Sequence, residues 1–208
     1  MRASYVLPAL LLASPAAAVE VAVLGGHQYN ADFEIAAEAP DAALDGLPGS
    51  PGDEIELDGG AAFGLAIDFD WGVDSTKRAG VFLSRSEGSF GDNAGLAEPD
   101  MDVTHLHFTG LSYYPQGPWE HFVTAGAGAT IFDPDDRTLD DDTRFSLHVG
   151  AGTQYRLAEN LALRLEARWF GTFFNSGFAG FCAGGCVIAV KSDIYSQFQL
   201  NAGLQFRF

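Results

Sequence analysis

Three residues in the second half of the chain have the types that acyl transfer requires. Ser146 and His148 lie two positions apart, and Glu166 follows on a later segment. Such residues act as nucleophile, base and orienting group when they share hydrogen bonds. On a strand, however, positions i and i+2 stand about 7 Å apart, beyond hydrogen-bond reach. His105 and His107 alternate similarly without a convergent carboxylate, and no nucleophile elbow occurs elsewhere. We therefore predict a non-enzymatic protein without a cofactor.

Two cysteines lie close together, as Cys182-Ala-Gly-Gly-Cys186. An exported chain passes through an oxidising compartment, where thiols pair. A Gly-rich spacer lets these two reach disulfide geometry, so we predict a local disulfide, although so small a loop adds little entropic stabilisation. The alternative, a metal or redox pair, lacks both the C-x-x-C spacing and a neighbouring His or third Cys.

Acidic residues dominate the charge of the chain. It has 28 Asp and Glu against 11 Lys and Arg, a formal net charge of −17. Nucleic acid is excluded as a partner, because phosphate binding requires a basic surface. Most acids fall in predicted outer loops, which form either a solvated, repulsive surface or a cation-binding one that bridges to lipopolysaccharide. Six aspartates are weak candidate Ca²⁺ ligands, since their spacing is not that of an EF-hand loop: Asp133, Asp135, Asp136, Asp140, Asp141 and Asp142.

A further set of charged residues alternates with apolar residues. The clearest case is Arg164-x-Glu166-x-Arg168, whose intervening residues are Leu165 and Ala167. Residues of one parity share a face of a strand, so these charges face one way. The charges predicted inside a barrel are Glu20, Asp68, Arg144, Arg156, Arg164, Glu166, Arg168 and Arg207. Buried charges must be paired, so we expect an internal ion-pair network in which Glu20 approaches Arg207. The alternative is an ion-selective constriction in a narrow, water-filled channel.

Strands must position these residues, because apolar residues recur with a period of two. Eight segments show this pattern: residues 20–30, 55–70, 78–89, 102–114, 121–132, 144–157, 161–173 and 192–208. The third and fourth of these segments alternate poorly. Each reaches the roughly 9–11 residues that a spanning strand needs. The connections alternate long and short, as in a barrel with short periplasmic turns and long outer loops. The sequence therefore predicts an all-β, eight-stranded antiparallel up-and-down transmembrane β-barrel, with a soluble sandwich as the alternative.

Aromatic residues are expected to form girdles at the two rims of this barrel, where membrane and water meet. The girdle at the end that carries both termini would contain Trp71, Trp119, Phe206 and Phe208. The opposite girdle would contain Trp169, Phe170, Phe173 and Phe174.

The first 18 residues are typical of a secretory signal peptide. Arg2 precedes a short apolar run, and an Ala-x-Ala cleavage site follows at Ala16 to Ala18. The run is too short for a spanning helix, which needs roughly 20 apolar residues. We predict that residues 1–18 are cleaved and that residues 19–208 form one barrel domain, integral to the outer membrane.

The last strand resembles the terminal assembly signal of bacterial outer-membrane barrels, with Asn201, Gly203, Phe206 and Phe208 at its polar, glycine and aromatic positions. From signal peptide to last residue the chain resembles the small OmpA, OmpX and OmpW type proteins of Gram-negative bacteria, within the porin-like outer-membrane β-barrel family. The resemblance implies contact with outer-membrane lipid and lipopolysaccharide, and folding by the barrel-assembly machinery; we also expect a monomer. We favour a structural or surface-interaction role for the acidic loops, with a narrow diffusion channel for small solutes or ions as the alternative.

Overall fold

Eight long strands account for most of the residues that the computed structural model describes, which are 19–31, 33–34, 54–55, 57–71, 76–90, 100–134, 142–173, 179–180, 188–189 and 194–208. The strands are β1 (Val19–Asn30), β2 (Ala61–Asp70), β3 (Lys77–Phe90), β4 (Asp100–Gln116), β5 (Trp119–Pro134), β6 (Asp142–Ala158), β7 (Leu161–Phe173) and β8 (Ile194–Arg207). Short two-residue strands also pair: Phe33–Glu34 with Glu54–Ile55, Ala179–Gly180 with Ile188–Ala189, and Leu57–Asp58 with the end of β3. Within these ranges no helix has the length and hydropathy to cross a membrane.

Each long strand pairs antiparallel with the next, and β1 pairs with β8. The predicted closed, eight-stranded antiparallel barrel is therefore confirmed. A path that starts on β1 and steps from each residue to its register partner on the next strand returns to β1 ten residues further along, so the stagger of the barrel is ten residues. The residues on this path are Glu20, Asp68, Gly80, Thr109, Gly126, His148, Phe170, Gln197 and Asn30. The stagger is even, as closure requires, because inward-facing residues must then meet inward-facing residues.

Both ends of the barrel chain lie together, and we call this side of the barrel the termini end and the opposite side the loop end. Phe208 N donates to Val19 O at 2.9 Å. At the termini end β4 and β5 are joined by only Gly117 and Pro118, whereas the sequence predicted a connection over residues 115–120. The turn is this tight because Gly117 adopts a φ of 65°, in the left-handed region that glycine enters without steric cost.

The two faces of the barrel wall differ in polarity. The outer face carries an exposed apolar band: Val23, Phe63, Leu65, Leu83, Leu106, Phe108, Val123, Val149, Leu163, Leu165, Leu200 and Leu204. The inner face is mostly polar and buried, including Glu20, Asp68, Arg164 and Arg168. A soluble sandwich buries apolar faces between its sheets, whereas a membrane barrel turns them outward. The sandwich alternative is therefore wrong.

Two sequence expectations need correction. The second strand begins at Ala61 rather than at residue 55, since the chain before it forms only the short strand Leu57–Asp58. Phe170, predicted for an aromatic girdle, points into the lumen and is fully buried, because its parity on β7 matches that of Arg168. Six other predicted girdle residues are exposed: Trp71, Trp119, Trp169, Phe173, Phe206 and Phe208. Phe174 lies outside the described residues.

Candidate functional site

Strand β7 brings three charged side chains into the lumen, because alternate positions of a strand face the same side. Arg164, Glu166 and Arg168 are all buried. Arg168 Nε donates to Glu166 Oε1 at 2.7 Å, and Arg164 Nε donates to Glu166 Oε2 at 2.9 Å. One carboxylate therefore accepts hydrogen bonds from both of the arginines that flank it.

Arg164 also reaches across the barrel. Its Nη1 donates to Asp68 Oδ2 on β2 at 3.0 Å and to Gln205 Oε1 on β8 at 2.8 Å. Its guanidinium carbon lies 4.6 Å from the centre of the Phe122 ring, within the range of a cation–π interaction. This fully buried side chain therefore ties three strands together while its charge is neutralised by two carboxylates.

Glu20 is the centre of a second group of contacts. It accepts hydrogen bonds from Arg78 and Gln205, and Arg207 Nε lies 2.7 Å from its Oε1. Arg78 Nε in turn lies 3.3 Å from Asp70 Oδ1. The approach of Glu20 to Arg207, expected from closure of the first strand on the last, is present in the structure. Sequence reasoning missed Arg78, which it assigned to a strand of uncertain facing.

Some charges assigned to the interior lie at its edges. Glu120 accepts from Arg156 Nη2 at 2.5 Å and from Gln154 Nε2 at 2.5 Å. The side chains of Arg156 and Arg207 are 47% and 39% exposed, so they lie at the rim of the termini end rather than in the enclosed lumen. Both lie within two residues of the ends of their strands, where a long side chain can keep its charge in water. Arg144 pairs with Asp142 at 2.7 Å, near the loop end.

These residues form what we call the ionic layer, which contains five acids and five arginines among the described residues. Its members are Glu20, Asp68, Asp70, Glu120, Glu166, Arg78, Arg156, Arg164, Arg168 and Arg207. The layer is formally neutral, and each member lies in at least one ion pair. That arrangement is the one in which buried charges are tolerated, since an unpaired charge in the interior is costly.

Nearer the loop end, rings fill the lumen. The Phe170 ring stacks on His105 with a centroid distance of 4.0 Å and meets His107 edge-on at 5.4 Å. It also lies 6.2 Å from the Phe82 ring and 5.8 Å from that of His148. We call these five residues the histidine layer, and all five are buried. Arg168 joins the two layers, because its guanidinium carbon lies 3.8 Å above the Phe82 ring.

A chain of hydrogen bonds links the histidines to Ser146. Arg168 Nη1 lies 3.1 Å from His148 Nε2, and His148 Nδ1 lies 2.9 Å from His107 Nδ1. His107 Nε2 lies 2.8 Å from Ser146 Oγ. Arginine can only donate, so His148 Nε2 accepts, and its Nδ1 carries the proton donated to His107 Nδ1. His107 Nε2 therefore carries a proton and donates it to Ser146.

These proton positions decide whether Ser146 has a neighbouring general base. Ser146 does meet a histidine at hydrogen-bond distance, but the histidine is His107 rather than His148. Because His107 presents an N–H to Ser146, it lacks the free lone pair with which a general base would take the serine proton. The Ser146 hydroxyl lies 2.9 Å from that of Thr130, which is also 3.0 Å from His105 Nδ1.

The contact between Ser146 and His107 crosses an intervening strand. His107 lies on β4 and Ser146 on β6, and both are register partners of Gly128 on β5. A Cβ atom at Gly128 would lie 2.7 Å from His107 Cα, and one at Gly126 would lie 2.4 Å from His148 Cε1. Gly126 therefore leaves room for the His148 ring, and Gly128 places no side chain between His107 and Ser146. The signal that could have revealed this contact is therefore the Gly126-x-Gly128 pair.

Other predicted sites are described only in part. Asp133 is exposed, and Asp142 is paired with Arg144 as above, whereas Asp135, Asp136, Asp140 and Asp141 lie outside the described residues. In the described ranges, no three His, Cys, Asp or Glu side chains are grouped to hold a metal ion. The predicted disulfide at Cys182 and Cys186 and the signal peptide over residues 1–18 also lie outside these ranges.

The residues assigned to the assembly signal lie on β8 and just beyond it. Asn201 points inward, where its Nδ2 donates to Gln199 Oε1 at 3.2 Å. Gly203 is the register partner of Leu24 on β1 and of Arg164 on β7. Phe206 and Phe208 are exposed on the outer face. The polar and aromatic positions of the signal therefore lie on opposite faces of the wall.

A family model described as an outer membrane protein beta-barrel domain matches residues 4–208. A search of curated proteins finds no match.

Three of the solved structures that match the chain illustrate the shared fold, each at low sequence identity. Neisserial surface protein A is 15% identical with a TM-score of 0.61, over 92% of this chain and 99% of that one. The outer membrane protein OprG from Pseudomonas aeruginosa is 11% identical with a TM-score of 0.58, over 92% and 96%. The outer membrane protein AlkL, solved in DMPC lipid bilayers, is 15% identical with a TM-score of 0.54, over 100% and 97%. Identities this low support the fold, and the chemistry of the site rests on the residues described above.

Proposed function

Since this chain belongs to the outer membrane protein β-barrel domain family, we propose that it is a barrel closed to solutes, which acts through the surface that its loops present outside the cell. Its role on this proposal is structural or one of surface interaction, and it is not an enzyme. The mature chain, from residue 19, crosses the outer membrane as a monomer.

The observation that carries this proposal is the filling of the lumen by two consecutive layers. In the ionic layer, each arginine lies in an ion pair, and Arg164 spans from β7 to β2 and β8. In the histidine layer, the Phe170 ring contacts the rings of His105, His107 and Phe82. An eight-stranded barrel has an interior that side chains alone can fill. A water-filled pore instead needs charged groups that face a lumen rather than each other.

The same contacts argue against hydrolysis. A serine nucleophile needs a neighbouring base with a free lone pair, and His107 directs an N–H at Ser146. Ser146 is itself fully buried, so a substrate would have to displace the rings that surround it. We therefore propose that this chain of hydrogen bonds stabilises the packing of the lumen and has no catalytic role.

The acidic loops are the part of the molecule left to act on a partner. The net charge of −17 is concentrated in segments that join strands at the loop end. We propose that this end faces outward, beside lipopolysaccharide, and that divalent cations could bridge carboxylates and lipid phosphates there. Insertion would be guided by recognition of Asn201, Gly203, Phe206 and Phe208 by the barrel-assembly machinery, and the Cys182–Cys186 bond would staple the last loop.

Single-channel recording tests the closed barrel. The mature protein, folded and inserted into a planar bilayer at neutral pH, should give no conductance steps, because both layers exclude water. A variant with Arg168→Ala and Phe170→Ala should conduct, since it removes two large side chains from mid-lumen while Glu166 keeps Arg164 as its partner. Trp169→Ala is the matched control, because this neighbouring residue faces outward on the same strand.

The outcomes separate the two functional candidates. Silence in the wild type and in Trp169→Ala, with steps in the double variant, supports the closed barrel. Steady, reproducible steps in the wild type would contradict it in favour of the narrow channel. Arg164, Glu166 and Arg168 would then be the candidates for ion selectivity.

A further inference from the structure

We propose that acid opens this barrel, because protonation of the hydrogen-bonded pair His148 and His107 breaks the histidine layer and admits water and ions. The inference rests on the proposed closed state at neutral pH and adds a condition under which that state is lost.

The pair has no site that can accept a further proton without conflict. His148 Nε2 accepts from Arg168 Nη1 at 3.1 Å, and His107 Nδ1 accepts from His148 Nδ1 at 2.9 Å. A proton added to His148 Nε2 would place two donors face to face, as would one added to His107 Nδ1. Either event converts an attractive contact into a repulsive one, because a histidine with both nitrogens protonated has only donors.

The surroundings of the pair are poor in groups that could neutralise a new charge. The groups facing His148 are His107 on β4, Thr124 on β5, Phe82 on β3, and Glu166, Arg168 and Phe170 on β7. Those facing His107 are His105 on β4, Ser146 and His148 on β6, and Arg168 and Phe170 on β7. Glu166 is the carboxylate in these sets, and it already accepts hydrogen bonds from both Arg164 and Arg168. Among the ion pairs of the described residues, none joins His105, His107 or His148 to a carboxylate.

Separation of this pair would open the layer as a whole. Both rings contact Phe170, at centroid distances of 5.4 Å for His107 and 5.8 Å for His148. A ring displaced by repulsion would therefore disturb the central ring of the layer. Water that enters would also hydrate the new charge, which stabilises the opened arrangement relative to a dry one.

Two substitutions keep the hydrogen bonds, and only the double variant that combines them removes both titrating groups. In His148→Gln, the amide oxygen can accept from Arg168 while the amide nitrogen donates to His107. In His107→Gln, the amide oxygen can accept from His148 and the nitrogen can donate to Ser146. His121→Gln is the matched control, since His121 is exposed and lies outside the layer.

Single-channel recording from about pH 7.5 to about pH 3.5 spans the range in which histidines ordinarily titrate and extends below it. The wild type and His121→Gln should be silent at the upper limit and show conductance steps towards the lower limit, whereas the double variant His107→Gln/His148→Gln should stay silent. Semi-native gel electrophoresis at each pH confirms that every variant remains a folded barrel.

Each contrary result has a separate meaning. A wild type that is silent over the whole range overturns acid opening and leaves the closed barrel standing. A wild type that conducts at both limits overturns the closed barrel itself. Equal acid opening in the wild type and in the double variant His107→Gln/His148→Gln also overturns the inference, because the titrating groups would then lie elsewhere.

Discussion

The ionic layer and the histidine layer close the same lumen by different chemistry. The ionic layer consists of fixed opposite charges, and the side chains of Arg164 and Glu166 within it are fully buried. The histidine layer consists of rings and of hydrogen bonds whose donors and acceptors depend on protonation. The stability of the ionic layer therefore depends on whether every charge in it is paired. The closure of the histidine layer depends, on our proposal, on the protonation state of His107 and His148.

The two layers should also respond differently to substitution of their residues. Removal of one partner from a buried ion pair leaves an uncompensated charge, so a single substitution in the ionic layer should lower the free energy of unfolding by a large amount. The rings around Phe170 have no formal charge at neutral pH, so their packing is governed by shape and by contacts spread over many atoms. Substitutions in the two layers should therefore differ in size and in their response to salt and pH.

The largest effect should follow Arg164→Met. Asp68 and Glu166 would each lose a partner and Gln205 would lose a donor, while the apolar replacement preserves much of the volume. Loss of one partner of a buried pair costs about 3–5 kcal/mol. The free energy of unfolding, measured by denaturant titration of the folded protein in detergent or lipid, should fall by that amount.

Arg156→Met is the matched comparison, because this arginine is also paired with a carboxylate but has a side chain that is 47% exposed. Exposed pairs contribute about 1 kcal/mol or less. If the two variants lost the same free energy of unfolding, burial would not determine how much an ion pair of the ionic layer contributes to stability.

Gly126→Ala should have a moderate effect confined to the histidine layer. The new Cβ would lie 2.4 Å from His148 Cε1 and 2.1 Å from Phe108 O, so ring and backbone must move. Overpacking of this kind costs about 1–3 kcal/mol. Gly110→Ala on β4 is the control, since its Cβ would meet only Ala125 O, at 3.9 Å. A loss of stability in Gly110→Ala as large as that in Gly126→Ala would contradict the steric explanation.

The sequence predicted the barrel wall better than the contents of the barrel. Strands β6, β7 and β8 were recognisable because polar and apolar residues alternate along them, and one parity assigned Glu166 and Arg168 to the lumen. The same parity places Phe170 inward, but its aromatic type suggested a rim. Parity is imposed by the pleat of the strand, whereas residue type is only a preference, so parity was the stronger guide.

Strands β3 and β4 alternated poorly for two physical reasons. Inside, Phe82 and Leu111 are apolar because they pack within a filled lumen rather than against water. Outside, Arg85 and Asp102 are polar because they belong to the loop-end part of the wall, where the apolar band has ended. Contacts such as that between Ser146 and His107 could not be predicted from pairing alone, since they join strands separated by β5.

The smallest effect should follow Arg85→Gln, which extends the comparison to an ion pair on the outer surface. Arg85 pairs with Asp102 across β3 and β4, and its side chain is 63% exposed. Such a pair should contribute about 1 kcal/mol or less to the free energy of unfolding. Its contribution should shrink further as salt is added, because exposed charges are screened over about 10 Å at 0.1 M salt. The cost of Arg164→Met should resist salt, since ions do not enter the filled lumen. Unfolding of both variants in low and high salt therefore distinguishes the two kinds of pair, and equal salt sensitivity would mean that water and ions reach Arg164.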